Sequence, residues 1–304
     1  MYQSVECRLA VGSDDIAYTL VVDTDLQDPI GQQVITGEWK LGPALMWLLE
    51  SVRPGDTVLD LGAHFGTFAI PAAKLGARVV AVEGSPRNAE VLRVACEQNQ
   101  LSNVEIIEAV VDRRVGEVAF VDLGPYGTIA TPDICAATGY PTIQRITTTV
   151  DALPGASFQW AKIDIEGTEL AVLGGASARL RELRGMAIES NGYALHSHGT
   201  SPRQLVEFLE DAGFGVYEVH DGALRRLRHP LTQPETILDY VAVRPGRQLL
   251  PGWKTLPPRK PADLIGSLMA ESVHPIAEHR EHAQRMINTL SGGLRRRYRR
   301  ATRN

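Results

Sequence analysis

Cysteine is scarce in this chain: among 304 residues there are three, Cys7, Cys96 and Cys135, and no C-x-x-C spacing. Neither a disulfide framework nor a zinc cluster is expected from so few thiols. No apolar run reaches the roughly 20 residues that cross a bilayer. The opening MYQSVECRLAVGSDD lacks the basic-then-apolar order of a secretory leader. These absences predict a cytoplasmic location. Two nucleotide signatures are missing as well. A G-x-G-x-x-G fingerprint begun at Gly62 would need glycine at 64 and 67, where His64 and Thr67 stand, and no Gly-Lys-Ser/Thr phosphate loop occurs. A Tyr-x-x-x-Lys pair is absent too, which together with the glycine pattern argues against an NAD-linked dehydrogenase or epimerase.

Positive charge is short everywhere but at the end. The net charge is −5, yet the last ten residues, RRRYRRATRN, hold six arginines and no acid, so the body without them carries about −11. An acidic body predicts no nucleic-acid partner. The tail is a candidate for weak contact with an anionic membrane surface or another protein, making the chain peripheral at most.

What is present is a sequence of strand and helix signals. SVECRLAV and DIAYTLVVD flank Gly12-Ser13-Asp14 as a hairpin. A helix is expected over Gly42–Val52, stopped by Pro54-Gly55. Strands TVLDLG, RVVAVEG, NVEIIEAVV and EVAFVD then alternate with helices GTFAIPAAKLG and SPRNAEVLRVACEQNQ, the second capped by Ser85. After a loop-rich stretch, Leu123–Thr142, come the strand WAKIDIEG, the helix TELAVLGGASARLRELRG, the strand GMAIESN, the helix SPRQLVEFLEDAGF and the strands GVYEVHD and DYVAVRP. Val79–Val82 is apolar on both faces, as a sheet covered on both sides requires. The expected fold is α/β: a doubly wound, mostly parallel seven-stranded sheet with an N-terminal hairpin, the short last connection forcing an antiparallel edge. Residues 1–50 should carry the hairpin and first helix, 51–247 the nucleotide-binding domain, and 248–304 a proline-rich strap, a helical extension over 262–290 and the basic tail.

Two stretches carry chemistry. In VLDLGAHFGTFAI an acid, Asp60, ends a buried strand before Gly62 and Gly66, and the next strand ends in Glu83. Ligands of open α/β sheets sit beyond such strand ends, and a carboxylate at Glu83 is placed to hold a ribose diol. Asp60, two residues before the first glycine, repels phosphate but suits the amino and sulfonium groups of S-adenosylmethionine. In WAKIDIEGTEL, strand alternation turns Lys162, Asp164 and Glu166 to one side, and two carboxylates there are costly unless paired or used. Thr168 is expected to cap the following helix. Candidate bases are Asp164, Glu166, Glu189 and the pair His196/His198. A divalent metal is conceivable on Asp164, Glu189 and His196, but their spacing does not favour one and no metal ligand is assigned. Glu38-Trp39 could close over a cofactor or form core beneath the hairpin.

These blocks resemble the FkbM family of S-adenosylmethionine-dependent O-methyltransferases. PGDTVLDLGAHFGTFA, VVAVEGSPRNAEVLRVACEQNQLSNVEIIEAVVDRRVGEVAF, TTTVDAL, AKIDIEGTELAVLGGA and DYVAVRP carry the likeness, from about Gly37 to Pro245. The family typically has Asn where this chain has His64, and often Pro at Ser85. The resemblance implies methyl transfer to a hydroxyl of a sugar, glycolipid or polyketide-type natural product. It implies cofactor contacts from Asp60, Gly62, Gly66 and Glu83, to which the neighbouring Ala63, His64, Phe65, Thr67, Gly84, Ser85, Ala109 and Val110 are added. It places Asp164 and Glu166 beside the transferred methyl. The alternatives are a nucleic-acid or other small-molecule methyltransferase, and a non-catalytic cofactor-binding scaffold of a glycosylation complex. Base-amino methylation usually brings an Asn/Asp-Pro-Pro-aromatic turn, which DIEG is not.

Overall fold

The computed structural model describes residues 1–26, 28–155, 157–220, 222–227, 237–246 and 253–257. Strands β1 (Tyr2–Val11) and β2 (Asp14–Asp23) form the expected antiparallel hairpin. An unanticipated helix α1 (Pro29–Thr36) follows, its first amides at Ile30 and Gly31 donating to the Asp28 carboxylate. Then come α2 (Pro43–Ser51), β3 (Thr57–Leu61), α3 (Ala69–Lys74), β4 (Arg78–Glu83), α4 (Pro86–Gln98) and β5 (Val104–Glu108). Strands β6 (Val110–Val111), β7 (Gly116–Val121) and β8 (Thr128–Ile129), helix α5 (Pro132–Thr138) and strand β9 (Thr142–Thr148) occupy the middle of the chain. The rest is β10 (Trp160–Ile163), α6 (Glu169–Gly174), β11 (Gly185–Asn191), α7 (Gly192–Ser197), α8 (Pro202–Asp211), β12 (Gly215–His220), β13 (Ala223–Arg226), β14 (Ile237–Val243) and β15 (Lys254–Leu256).

The main sheet runs β15-β13-β12-β14-β11-β10-β3-β4-β5. Its seven strands from β12 to β5 make the doubly wound sheet, with β3 central and strand order reversing there. The reversed strand is β14, antiparallel to both β11 and β12, so it lies inside the sheet and not at its edge. β13 and β15 extend that side, and β15 falls in the segment expected to be a strap. EVAFVD does not join this sheet. As β7 it enters a four-stranded sheet, β6-β9-β7-β8. Its first residues, Gly116 and Glu117, are exposed, whereas the central strands are buried on both faces.

Alternation along those strands divides the interior in two. Val58, Val79, Ala81, Trp160 and Ala187 face one core, shared with Leu20 and Val22 of the hairpin and Leu92 of α4. Leu59, Leu61, Val80, Val82, Ile163 and Ile188 face the other, shared with Val172 of α6 and Leu205 of α8. The boundary expected at residue 50 therefore divides a single core, and Met1–Pro258 form one compact unit. The 262–290 helix and the arginine tail lie outside the described residues. No helix among the described residues is long and apolar enough to cross a membrane.

Two stretches differ from the expected elements. The helix after DIEG ends at Gly174, because Gly175 packs its backbone against Arg113; a Cβ there would stand 2.8 Å from the Arg113 Cα. Between the expected strand GMAIESN and helix SPRQLVEFLEDAGF the chain adds α7, with the Asn191 side chain accepting the Ala194 N–H.

Candidate active site

The site begins with a charge pair inside the sheet. The parallel register of β3 and β10 sets Asp60 beside Lys162, and the flanking strands offer only Ala81 and Ala187 at that level. Small neighbours leave room for two charged side chains. Lys162 Nζ lies 3.5 Å from Asp60 Oδ1 and 3.3 Å from Asp164 Oδ2, and donates to the Gly62 carbonyl at 2.5 Å. Burial pushes the Asp60 carboxyl up to about 6, against the pull of the ammonium. Burial also disfavours the charged form of Lys162, but Asp164 and Asp60 outweigh it and hold the ammonium above its usual range. Asp60 is thus wholly buried and faces Lys162, not the cavity. In the sequence Asp60 looks like a lone acid because strand register is invisible there.

Next to this pair the chain turns. Gly62 has φ +74°, and a Cβ on it would lie 1.9 Å from the Asp164 carbonyl oxygen. Glycine is required here by the neighbouring strand end. The Gly62 and Ala63 amides both donate to Val82 O, and the Gly66 amide donates to Ala63 O. The His64 amide donates to Glu83 Oε2 at 2.7 Å, and the Ser85 amide to Glu83 Oε1 at 2.8 Å. Burial raises the Glu83 carboxyl while these donors favour its ionised form. His64, itself at φ +53°, places Nε2 2.7 Å from Asp28 Oδ2.

A cavity opens over these strand ends. Of the expected cofactor contacts, Gly62, His64, Thr67, Glu83, Gly84, Ala109 and Val110 line it. Ala63, Phe65, Gly66 and Ser85 do not. Phe65 is buried against the His64 ring, 4.2 Å between centroids. Gly66 presses on Leu92 and Ile70. Ser85 is occupied as a cap, accepting the Asn88 N–H and donating to Asp122 Oδ2. The remaining wall comes from Ile30 of α1, the segment Trp39–Gly42, Phe120 of β7 and the Gly124–Gly127 turn.

On the opposite wall stand the acids. β10 stops at Ile163, and Glu166 (φ +55°) and Gly167 (φ +103°) bend the chain sharply. Glu169 fixes the bend from below, its Oε1 accepting the N–H groups of Ile165 and Gly167. Thr168 does not cap α6 with its side chain as expected; its hydroxyl donates back to Ile165 O. One oxygen each from Asp164, Glu166 and Glu189 lies within 4.8 Å of the others, close enough to hold a divalent cation. Burial raises Glu166 to about 8, with Asp164 and Glu169 adding to the effect, and raises Glu169 to about 7. Glu189 is driven well above the usual carboxylate range by burial and Asp164. Asp239, opposite Glu189 in the β11–β14 register, rises to about 6, chiefly through burial.

His196, expected among the bases and metal ligands, is exposed on α7 and away from this cluster. Residues two apart on a helix point to nearly opposite sides, and it is His198 that turns inward. Its Nε2 lies 3.2 Å from Thr128 Oγ1, which donates to Glu166 O at 2.9 Å. Asp28 and Asp239 escape sequence reasoning, while Thr128 and the Gly124–Gly127 turn fall in the loop-rich stretch Leu123–Thr142, where the sequence singles out no residue. Only Asp239, an acid interrupting an apolar strand, leaves a signal there.

A family described as Methyltransferase FkbM domain matches residues 60–216, more than half of the chain. The chain belongs to the FkbM methyltransferase family. It carries an S-adenosylmethionine-dependent methyltransferase domain. An FkbM methyltransferase from Methylobacillus flagellatus KT has a similar structure at 16% identity and TM-score 0.44, covering 72% of this chain and 56% of that one. Among curated proteins, the 23S rRNA (uracil(1939)-C(5))-methyltransferase RlmD of Edwardsiella ictaluri is 35% identical over 34% of this chain and 23% of its own length. RlmD of Halomonas elongata is 36% identical over 33% of this chain and 20% of its own. The chain thus spans about a fifth of the length of these relatives. Their substrate is ribosomal RNA, which overturns the expectation of no nucleic-acid partner. Net charge averages over a whole surface and does not report on the path to one cavity; here Arg113 and Arg114 lie exposed after β6 despite the acidic body.

Proposed function

We propose that this FkbM methyltransferase is an O-methyltransferase whose acceptor is a hydroxyl of a sugar, glycolipid or polyketide-type product. The observation that carries this reading is the pair Asp164 and Glu166 on the cavity wall, whose carboxylate oxygens lie within 4.8 Å of each other and of Glu189. A hydroxyl needs its proton taken as the new bond forms, and a carboxyl whose pKa lies near neutrality serves best. Glu166, pushed up to about 8 by burial, has that property. Asp164, beside the Lys162 ammonium, is placed to orient the acceptor.

The cavity's chemistry suits S-adenosylmethionine, which when bound supplies an electrophilic methyl group. Each Glu83 oxygen accepts one backbone N–H and keeps a lone pair for a ribose hydroxyl. Ala109, Val110 and Phe120 offer an apolar wall for the base. The acids beyond β10 complement a sulfonium. The rest of the task is placement: holding the acceptor oxygen in line can supply about 7–11 kcal/mol of the barrier.

The second reading, methyl transfer to RNA, rests on the curated relatives that act on 23S rRNA. Asp164→Asn separates binding from chemistry. Turnover should be abolished while affinity for S-adenosylhomocysteine, read by calorimetry, stays within about tenfold, or about 1.4 kcal/mol. A variant that turns over normally would remove Asp164 from the mechanism.

A further inference from the structure

The cofactor's amino-acid end carries a carboxylate as well as an ammonium, and the acid-lined wall repels the former. Helix-proximal turns often receive such groups on free amides. In this chain most of the turn is engaged: Gly62 and Ala63 donate to Val82 O, His64 to Glu83 and Gly66 to Ala63, which leaves the amides of Phe65 and Thr67. Thr67 offers a neutral hydroxyl at best. These are neutral donors, so a positive side chain on the cavity wall is the group that would balance the carboxylate's charge.

Two lysines line the cavity. Lys162 is buried and engaged by Asp60, Asp164 and the Gly62 carbonyl. Lys40 is exposed, and no ion pair to it occurs among the described residues. Its position fits the missing role. With the diol at Glu83 on β4 and the base along Ala109 and Val110 after β5, the ligand's third group must lie over the ends of β3 and β10. The Lys40 segment crosses that side: a Cβ on Gly42, two residues on, would stand 3.3 Å from Asp239 Oδ2 of β14.

We propose that Lys40 is the cofactor-binding residue that pairs with the α-carboxylate of S-adenosylmethionine. It makes the wall bipolar, a cation for the carboxylate facing acids for the ammonium and sulfonium. The role rests on the cofactor reading above, and a carboxylate or phosphate on the acceptor is the other anion Lys40 could meet.

The test uses the full chain and calorimetry with two probes, S-adenosylhomocysteine and its decarboxylated analogue. Lys40→Gln should weaken S-adenosylhomocysteine about two- to fivefold, the upper range of one exposed ion pair, about 0.4–1 kcal/mol. The analogue should bind wild type and variant alike, and Lys40→Arg should restore most of the loss. Equal weakening of both probes, or of neither, overturns the assignment. A variant whose only change is a raised KM for the acceptor also overturns it and gives Lys40 to the acceptor. If the unaltered chain binds neither probe, the cofactor site itself fails, a result distinct from any difference between variants.

Discussion

The Lys162 ammonium lies 3.5 Å from the Asp60 carboxylate, both side chains almost entirely out of water. Removing one partner of a buried pair leaves the other uncompensated, at a cost of about 3–5 kcal/mol. Lys162→Met should therefore lower the melting temperature strongly at pH 8. It should do so less at pH 5, where Asp60, already raised to about 6 with its partner present, accepts a proton. An equal loss at both pH values would show that the pair is not what holds these strand ends.

Gly62 carries a separate constraint. An alanine methyl at this position would bring its carbon to 1.9 Å from the Asp164 carbonyl oxygen, so Gly62→Ala must part β3 from β10 at the cavity floor. The left-handed backbone alone costs about 1–3 kcal/mol for a non-glycine residue. Thermal melting should show a loss of at least that size, with S-adenosylhomocysteine binding weakened in parallel; a variant that melts and binds like wild type would contradict the close approach.

Thr128 tethers the Glu166 bend through its hydroxyl, with His198 behind it. Thr128→Val keeps the shape and removes the bond, so stability should fall by about 1 kcal/mol. Methyl transfer should fall further, with kcat affected more than KM, and Thr128→Ser should restore it. Loss of cofactor binding in place of kcat would mean the tether serves the other wall.

The acids predict a pH trend for the free protein. Glu169 is fully buried and its folded pKa is raised from 4.5 to about 7. The folded state holds the proton more tightly, so this contribution to stability is present below pH 4.5 and is lost as pH rises to about 7. Glu169→Gln, which keeps the acceptor for the Ile165 and Gly167 amides, should melt like wild type near pH 5 and several degrees higher at pH 8. A variant destabilised equally at both would show that the bend needs a charge.

Much of this was legible in the sequence and some was not, for local reasons. The doubly wound sheet follows from apolar runs such as Val79–Val82, and the floor of the cavity from Gly62 and Glu83. Contacts set by register stayed hidden: Lys162 against Asp60, and Asp239 opposite Glu189, pair across strands far apart in the chain. Short helices such as α1 and α7 are fixed by Asp28 and Asn191 at their first turns more than by periodicity, and α7 alone decides that His198 and not His196 faces inward. The exclusion of nucleic acid failed because overall charge was asked a question about one cavity.

The most direct measurement is the position of a transferred methyl group. Isotope-labelled S-adenosylmethionine would be incubated with the full chain and, separately, with a glycan and glycolipid pool and with ribosomal RNA, and products located by mass spectrometry. We predict label on a hydroxyl oxygen, lost in Asp164→Asn. Label on a pyrimidine carbon, unaffected by that substitution, would contradict a hydroxyl acceptor and the role given to the acid wall.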